Sequence, residues 1–228
     1  LIMILLTACG TNPPLATATL VAPSPSPVAT TLVPPTEVVA TKVPASTQDA
    51  VIVLKIVPEE SSLTYEVGET FINQNNRFAT AIGMTSEING EIFANPVDPT
   101  QSKLGVITVD ISTLTSDNTR RDNAIRRDWL ESNTYPLVTF VPRSITNLPE
   151  SYTPGEPYTF QVQGELTIKQ TTLAAEFTVT ASFDGQELRG TTESEFNMSD
   201  YNIGPISVAG ILNTEDLVKV KLDFVARP

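Results

Sequence analysis

The sequence predicts an all-β protein: an eight-stranded antiparallel barrel with one short helix, preceded by a disordered tether. From residue 51 onwards, apolar and polar residues alternate over long segments, which is the period of a half-buried strand. No helical patterns of ten to fifteen residues alternate with these segments, so the sheet should be antiparallel. A sandwich and a barrel both fit this pattern, and strands of ten residues or more favour the barrel.

The first nine residues are expected to be the end of a signal peptide with a lipobox. Residues 1–6 are apolar, and Thr7, Ala8 and Cys9 follow. This pattern resembles the bacterial site at which a cysteine is lipidated and becomes the new N-terminus. The alternatives are a truncated membrane span and a buried free thiol. A lipidated Cys9 predicts a protein of the cell envelope, anchored to a membrane and facing the extracytoplasmic side, in the periplasm or at the cell surface.

Residues 10–50 are expected to form a disordered linker. They are rich in Pro, Thr, Ala, Ser and Val and contain three charged residues, Glu37, Lys42 and Asp49. The prolines block helices and sheet ladders alike. At ~3.1 Å per residue in polyproline geometry, the linker could hold a domain on the order of 100 Å from a membrane. O-glycosylation would suit the Thr/Ser/Pro mixture, but a plain spacer is the simpler interpretation.

Composition excludes several functions for the domain at residues 51–228. The chain has a net charge of −12, of which the linker accounts for −1, so the domain carries −11 and should not bind nucleic acid. It has no histidine, and Cys9 is the single cysteine. The commonest general base, the usual zinc and haem ligand and an internal disulfide are therefore excluded. No acidic pair stands out in an apolar context, so we predict no enzyme, no metal site and no cofactor other than a bound lipid.

The strands before the helix are expected at residues 51–57, 63–67, 77–85, 87–94 and 104–113. Gly90 predicts a bulge within the fourth segment. After the helix the alternation is most regular, at residues 158–168 and 173–183, and Asp184 followed by Gly185 signals a hairpin. The remaining segments are residues 137–141, 188–198 and 217–226.

One stretch, residues 118–130, has helical spacing instead. Asn118 or Thr119 can cap its start, and Asp122 suits the positive end of the helix dipole. Ile125 and Trp129 are one turn apart and share a face. Because such a helix is isolated between strands, we expect it to cover the end of the barrel.

The residues around this helix resemble the signature of the YceI-like family, over roughly residues 51–228. The matching segments occur in order and are Ile111 to Thr115, Arg121 with Asp122, Trp129 with Leu130, Tyr135 to Phe140, Gly164 to Lys169, and Ser199 to Gly204. The resemblance implies a lipocalin-like barrel that holds a long isoprenoid or another amphiphilic lipid. Many members of the family have histidines near the first strands. This chain has none there, at residues 65–75, so the identity of the ligand is left open.

The candidate lining residues are inward-facing aromatic residues. They can line a tunnel or fill an ordinary core, and the family resemblance together with small residues such as Gly164 and Gly190 favours a hollow barrel. The candidates are Tyr65, Phe93, Phe140, Phe160, Phe177, Phe196, Phe224 and, from the helix, Trp129.

Four arginines, Arg120, Arg121, Arg126 and Arg127, form the one dense basic cluster of the sequence. They either face a ligand headgroup at the barrel mouth or pair with nearby acids. Arg121 is the headgroup candidate, and a structural pair with a neighbouring acid is the interpretation we prefer for it.

Two functions follow. One is a membrane-anchored lipoprotein whose barrel stores or transports an amphiphilic lipid, with membrane contact through Cys9. The other is a structural or interaction domain displayed on a stalk, with no lipid. An interior of several hundred Å³ favours the first. The sequence leaves a homodimer open in either case.

Overall fold

The computed structural model describes residues 51–228. The lipobox, Cys9 and the linker lie outside the described residues. The described part contains a single antiparallel sheet of fourteen strands. The strands are β1 (Ile52–Ile56), β2 (Ser62–Phe71), β3 (Arg77–Thr85), β4 (Ile88–Asn89), β5 (Glu91–Ala94), β6 (Lys103–Leu104), β7 (Ile107–Asp110), β8 (Thr115–Ser116), β9 (Leu137–Thr146), β10 (Pro157–Ile168), β11 (Thr171–Phe183), β12 (Leu188–Asn197), β13 (Ser207–Val208) and β14 (Leu212–Arg227).

The sheet is curled around the longest strands. Its order is β4-β7-β9-β10-β11-β12-β14-β1-β5-β6, with β2 also paired to β14 and β3 paired to β2. Strand β14 can pair with β12, β2 and β1 because it has 16 residues and its register with β2 shifts between Thr214 and Val218. The all-β antiparallel class is therefore confirmed.

The number of strands and the closure differ from the expectation. The expected strand at residues 87–94 is divided at Gly90, and the one at residues 104–113 is divided at Gly105 and ends in a 3-10 turn at Ile111–Thr113. These interruptions replace long strands with two-residue and four-residue pieces. Strand β3 pairs with β8 at Gly83 and Met84 alone, so its residues 77–82 have no second partner strand within the described part. The sheet therefore forms a half-barrel with an open side.

Two glycines are required by the local geometry of the long strands, one at a close contact between strands and one in a turn. At the bulge between Gln163 and Gly164, a Cβ on Gly164 would lie 2.5 Å from the Val141 carbonyl oxygen, so a side chain cannot be accommodated. Gly185 has φ +102°, which glycine adopts without strain, and it turns β11 into β12. The Asp184 carboxylate accepts bonds from the Gln186 and Glu187 amides in this turn, which lowers its pKa.

The helical segment, residues 119–129, lies between β8 and β9. It begins as helix α1 (Thr119–Ala124), where the Asn118 side chain accepts bonds from the Arg120 and Arg121 amides. It continues as a π-helical turn, Ile125–Trp129, in which the Leu130 amide donates to the Ile125 carbonyl over 2.8 Å. The helix is confirmed, but its second half is more widely wound than the 3.6-residue spacing predicted.

The core lies on the concave face of the sheet. Its main cluster includes Val67, Phe140, Val162, Leu166 and Val218, from strands on both sides of the half-barrel, and Trp129 and Leu130 of the helical segment pack against it. A second cluster joins Ile56, Ile88 and Ile111 near the short strands. Within residues 51–228, no helix has the length and apolar character needed to cross a membrane.

Candidate functional site: an apolar interior cavity

A cavity of about 530 Å³ lies between the concave face of the sheet and the helical segment. Strands β2, β9, β10, β11, β12 and β14 supply its walls, because their period-two alternation places one apolar face inward. Ala124, Ile125, Trp129 and Leu130 cover it from the helical segment. The polar or charged residues in its lining, apart from the Tyr65 and Trp129 rings, are Glu69, Asn118, Arg120, Arg121, Thr192 and Thr214. This cavity can accept an apolar chain, and its charged groups are concentrated near the helical segment.

Most of the predicted aromatic residues lie in this wall. Tyr65, Phe140, Phe177, Phe196 and Trp129 all line the cavity. Phe140 and Phe177 meet edge to face, with ring centroids 4.8 Å apart.

The other three predicted aromatic residues are elsewhere. Phe160 and Phe224 line a separate, smaller cavity of about 170 Å³. Phe93 lines neither cavity, which corrects its assignment as an inward-facing residue. Its neighbours Ile92 and Ala94 line the smaller cavity, so alternation along β5 directs Phe93 to the other face.

The two cavities are adjacent. Six residues line both and form what we term the neck: Leu104, Ile107, Val162, Val179, Thr192 and Leu222. The half-barrel therefore contains two neighbouring chambers that the neck residues separate.

Arg121 attaches the helical segment to strand β2. Its guanidinium binds the Glu69 carboxylate in a two-pronged pair, with Nε–Oε1 3.2 Å and Nη2–Oε2 3.0 Å. The Glu69 side chain is only 5% exposed and that of Arg121 18% exposed. Nη1 also donates to Asp117 over 2.6 Å and to the Ser116 hydroxyl over 3.3 Å. The interpretation of Arg121 as a structural ion pair agrees with this geometry, since two carboxylates already balance its charge.

The other end of the helical segment is attached to the β10–β11 turn. The Lys169 ammonium group donates to the Trp129 carbonyl oxygen over 3.2 Å and pairs with Glu131. Between the two ends, Arg126 donates to the Leu114 carbonyl oxygen over 2.9 Å. The helical segment is thus fixed by polar contacts at both ends while its apolar side faces the cavity.

Arg120 differs from the other arginines of the cluster. Arg127 pairs with its neighbour Asp128, and Arg126 bonds to Leu114 and Asn123. Arg120 is exposed, lines the cavity and has no ion pair within residues 51–228. It is the cation at the cavity whose charge remains available to an anionic group.

Burial and charge shift the acidity of two groups in this region. Burial raises the pKa of Tyr65 to about 12, although the Arg121 cation acts in the opposite direction. For Arg121, burial acts to lower the pKa, but the bonds and charges of Asp117 and Glu69 outweigh it and the pKa is raised. Tyr65 is therefore a neutral hydroxyl, and Arg121 a permanent cation, at neutral pH.

The predicted site did not include Glu69 or the second chamber, and Arg120 was predicted only as one member of the basic cluster. The position of Glu69 could have been predicted from the sequence, because in the alternation along β2 it falls on the inward face between Val67 and Phe71. An acid in an apolar phase requires a buried cation, which Arg121 supplies. The second chamber carried no comparable signal, because alternation along β10, β11 and β14 marks their inward faces but does not show where the interior is divided in two.

Elsewhere in the described residues, the candidate binding sites are weaker than the interior cavity. Across residues 51–228, no group of three or more metal-binding side chains is close enough to hold an ion. A groove of about 590 Å³ lies across β11, β12 and β14, lined by polar residues such as Thr178, Thr191 and Glu193. It lacks the apolar lining of the interior cavity.

The comparisons with known proteins agree with this architecture. The model of the YceI-like domain matches residues 54–226. BcnA from Burkholderia cenocepacia has 20% identity and a TM-score of 0.56, over 75% of this chain and 98% of its own. A polyisoprenoid binding domain from Saccharophagus degradans, implicated in plant cell wall breakdown, has 11% identity and a TM-score of 0.55, over 76% and 97%. The Campylobacter jejuni YceI protein has 17% identity and a TM-score of 0.51, over 64% and 84%. No curated protein matches the chain.

Proposed function

Because the chain belongs to the YceI-like domain family, we propose that its half-barrel binds an amphiphilic lipid with a long apolar chain, an isoprenoid in the first instance. The observation that carries this proposal is the apolar cavity of about 530 Å³, whose covering segment brings cations to one end. This volume is within the range of ligand pockets. It favours lipid binding over the alternative of a filled domain displayed on a stalk.

The cavity sets a scale for the bound chain. With ~30 Å³ for a group the size of a water molecule or a methylene, 530 Å³ holds about 18 such groups. The second chamber adds 170 Å³, or about six more groups. The first chamber thus accepts three to four five-carbon isoprene units, and a longer chain has to cross the neck.

The protein is proposed to act as a carrier or store for this lipid, with no catalytic step. Its polar lining offers hydrogen bonds and charge for a headgroup, and Arg121 is committed to Glu69. Arg120 is therefore the better candidate for an anionic headgroup. We also propose that Cys9 is lipidated and that residues 10–50 tether the domain at the extracytoplasmic face of a membrane. Replacement of Cys9 by Ser should then weaken the attachment of the protein to the membrane fraction.

Lipid binding is tested by native mass spectrometry and solvent extraction of the purified protein. The expected result is a bound apolar chain in stoichiometric amount. Val138→Phe places extra volume in the cavity and should reduce the bound lipid, whereas Val106→Phe, at an exposed position, should not. Thermal unfolding of both variants verifies that they are folded. A folded parent protein that is reproducibly empty, and that takes up no added isoprenoid, would refute the proposal.

A further inference from the structure

Two hairpins lie side by side at one end of the large cavity. One is the turn between β2 and β3, residues 71–78, and the other is the turn between β13 and β14, residues 206–213. They are joined by the pairing of Phe71 with Leu212 and by a 2.8 Å bond from the Ile72 amide to the Ile211 carbonyl oxygen. Phe71, Val208 and Ile211 also line the cavity, so these hairpins border its opening.

The hairpins present large apolar side chains to solvent. Ile72, Phe78, Val208 and Ile211, which we term the apolar rim, are between 37% and 58% exposed. Exposed apolar residues that occur singly need no explanation, but four on two bonded hairpins indicate a contact surface. Val208 and Ile211 belong both to this surface and to the cavity lining. The surface is therefore continuous with the cavity.

Charge is nearly absent from these hairpins. Their sixteen residues contain one charged side chain, Arg77, in a chain that is 18% charged with a net charge of −12. The Arg77 guanidinium carbon lies 4.6 Å from the centre of the Phe71 ring, at the cavity opening. The turn of the first hairpin consists of uncharged amides at residues 73–76. An acidic protein thus presents two hairpins that are almost neutral and together carry one cation.

We propose that the apolar rim inserts into the surface of an uncharged, zwitterionic lipid bilayer and places the cavity opening at the headgroup layer. Rim side chains would occupy the boundary between headgroups and acyl chains, and the amides and Arg77 would hydrogen-bond to headgroup oxygens. The net negative charge of the rest of the chain repels an anionic bilayer, which is why the partner is an uncharged one. This inference deepens the proposed function and rests on it, because docking gives a lipid a path from membrane to cavity that avoids water.

The test uses the full chain with Cys9→Ser, which cannot be acylated, and flotation with phosphatidylcholine vesicles. Phe78→Ser combined with Ile72→Ser, at the two rim residues outside the cavity lining, should weaken vesicle binding by at least about tenfold, because each side chain loses its apolar burial. Val97→Ser combined with Val106→Ser is the matched control, since these valines are similarly exposed but lie outside both hairpins. It should bind as the parent does. Replacing part of the phosphatidylcholine with phosphatidylglycerol should weaken binding, and added salt should restore it.

The outcomes separate docking from lipid binding in the cavity, because extracted lipid is measured in parallel. Equal vesicle binding by the parent and the rim variant would overturn the docking proposal, even if both carry lipid. The docking proposal would also be overturned if the parent protein does not bind vesicles and is a dimer, and if the rim variant is a monomer. Rim-dependent vesicle binding by a protein that never contains lipid would support docking and refute the proposed function. Circular dichroism of each variant verifies the fold.

Discussion

Removal of the Arg121 side-chain charge should destabilise the protein more than the loss of any other ion pair in the described residues. In Arg121→Met, the Glu69 carboxylate stays in an apolar wall with 5% of its side chain exposed and no cation to balance it. Breaking a buried pair in this way costs about 3–5 kcal/mol. Because Arg121 is 18% exposed, some water can reach the site, and we expect the lower end, about 3 kcal/mol. For a domain of this size, that corresponds to a melting temperature lower by about 6–12 °C.

The pair is best measured by a double-mutant cycle. Glu69→Leu alone leaves Arg121 with Asp117 and Ser116 as partners, so we expect a smaller loss, about 1–2 kcal/mol. The double variant removes both buried charges and should lie within about 1 kcal/mol of the parent, since apolar replacements of buried pairs are often neutral. The matched control is Arg127→Met, whose pair with Asp128 is exposed and screened by solvent and should contribute far less to stability.

Unfolding in denaturant would be followed by two signals. Circular dichroism reports the sheet, and the emission of Trp129 reports the helical segment. If the effects of Arg121→Met and Glu69→Leu simply add in the double variant, the coupling between these side chains is absent and the reasoning fails. The same holds if Arg121→Met is no more destabilising than Arg127→Met.

Three further predictions follow from single side chains. Trp129→Ala should lower the free energy of unfolding by about 2–3 kcal/mol, which is less than for a fully buried ring because Trp129 is half-buried. In the parent protein, the emission of this single tryptophan should shift when lipid is added. An emission that stays unchanged although lipid demonstrably binds would contradict the position of Trp129 in the cavity lining. Burial raises the pKa of Tyr65 from 10 to about 12, so the folded state keeps the phenol neutral where the unfolded chain ionises. Stability should therefore fall as the pH rises from about 10 to 12, and Tyr65→Phe should reduce that slope measured by denaturant unfolding. Thr192→Phe adds volume at the neck, so binding of a chain of about 20 carbons should weaken more than that of a 15-carbon chain, and equal effects on both would argue against passage through the neck.

The sequence was most informative where periodicity and burial coincide. Strands β10 and β11 have twelve and thirteen residues of alternation, and their inward faces follow directly from it. The inward facing of strand aromatic residues such as Phe140 and Phe177 was predicted for the same reason, whereas a hollow interior was favoured by the family resemblance. Phe93 was assigned wrongly because β5 is four residues long, and alternation over so short a strand does not determine which face is inward.

The open side of the half-barrel was beyond the reach of the sequence pattern. Closure depends on which strands pair at the ends of the sheet, and β3 has a partner for only part of its length on one side. That pairing is a long-range property that local propensity does not encode. The π-helical turn was also unpredictable, since Ile125 and Trp129 have the spacing of an ordinary α-helix. The second departure lies in the segment that covers the cavity.

Different contacts position that segment and bind the contents of the cavity. Arg121 and Lys169 attach its two ends to β2 and to the β10–β11 turn through directional polar contacts, which determine where the segment lies. Its apolar side chains, Ile125 and Trp129, face the cavity and contribute in proportion to buried area, whatever the exact shape of the chain they meet. A segment built in this way keeps its place when the cavity contents change. The buried Glu69 is consistent with this division, because its desolvation is tolerated only while Arg121 is in position. Glu69 therefore makes the half-barrel sensitive to the loss of Arg121, and it also specifies the site at which the helical segment attaches.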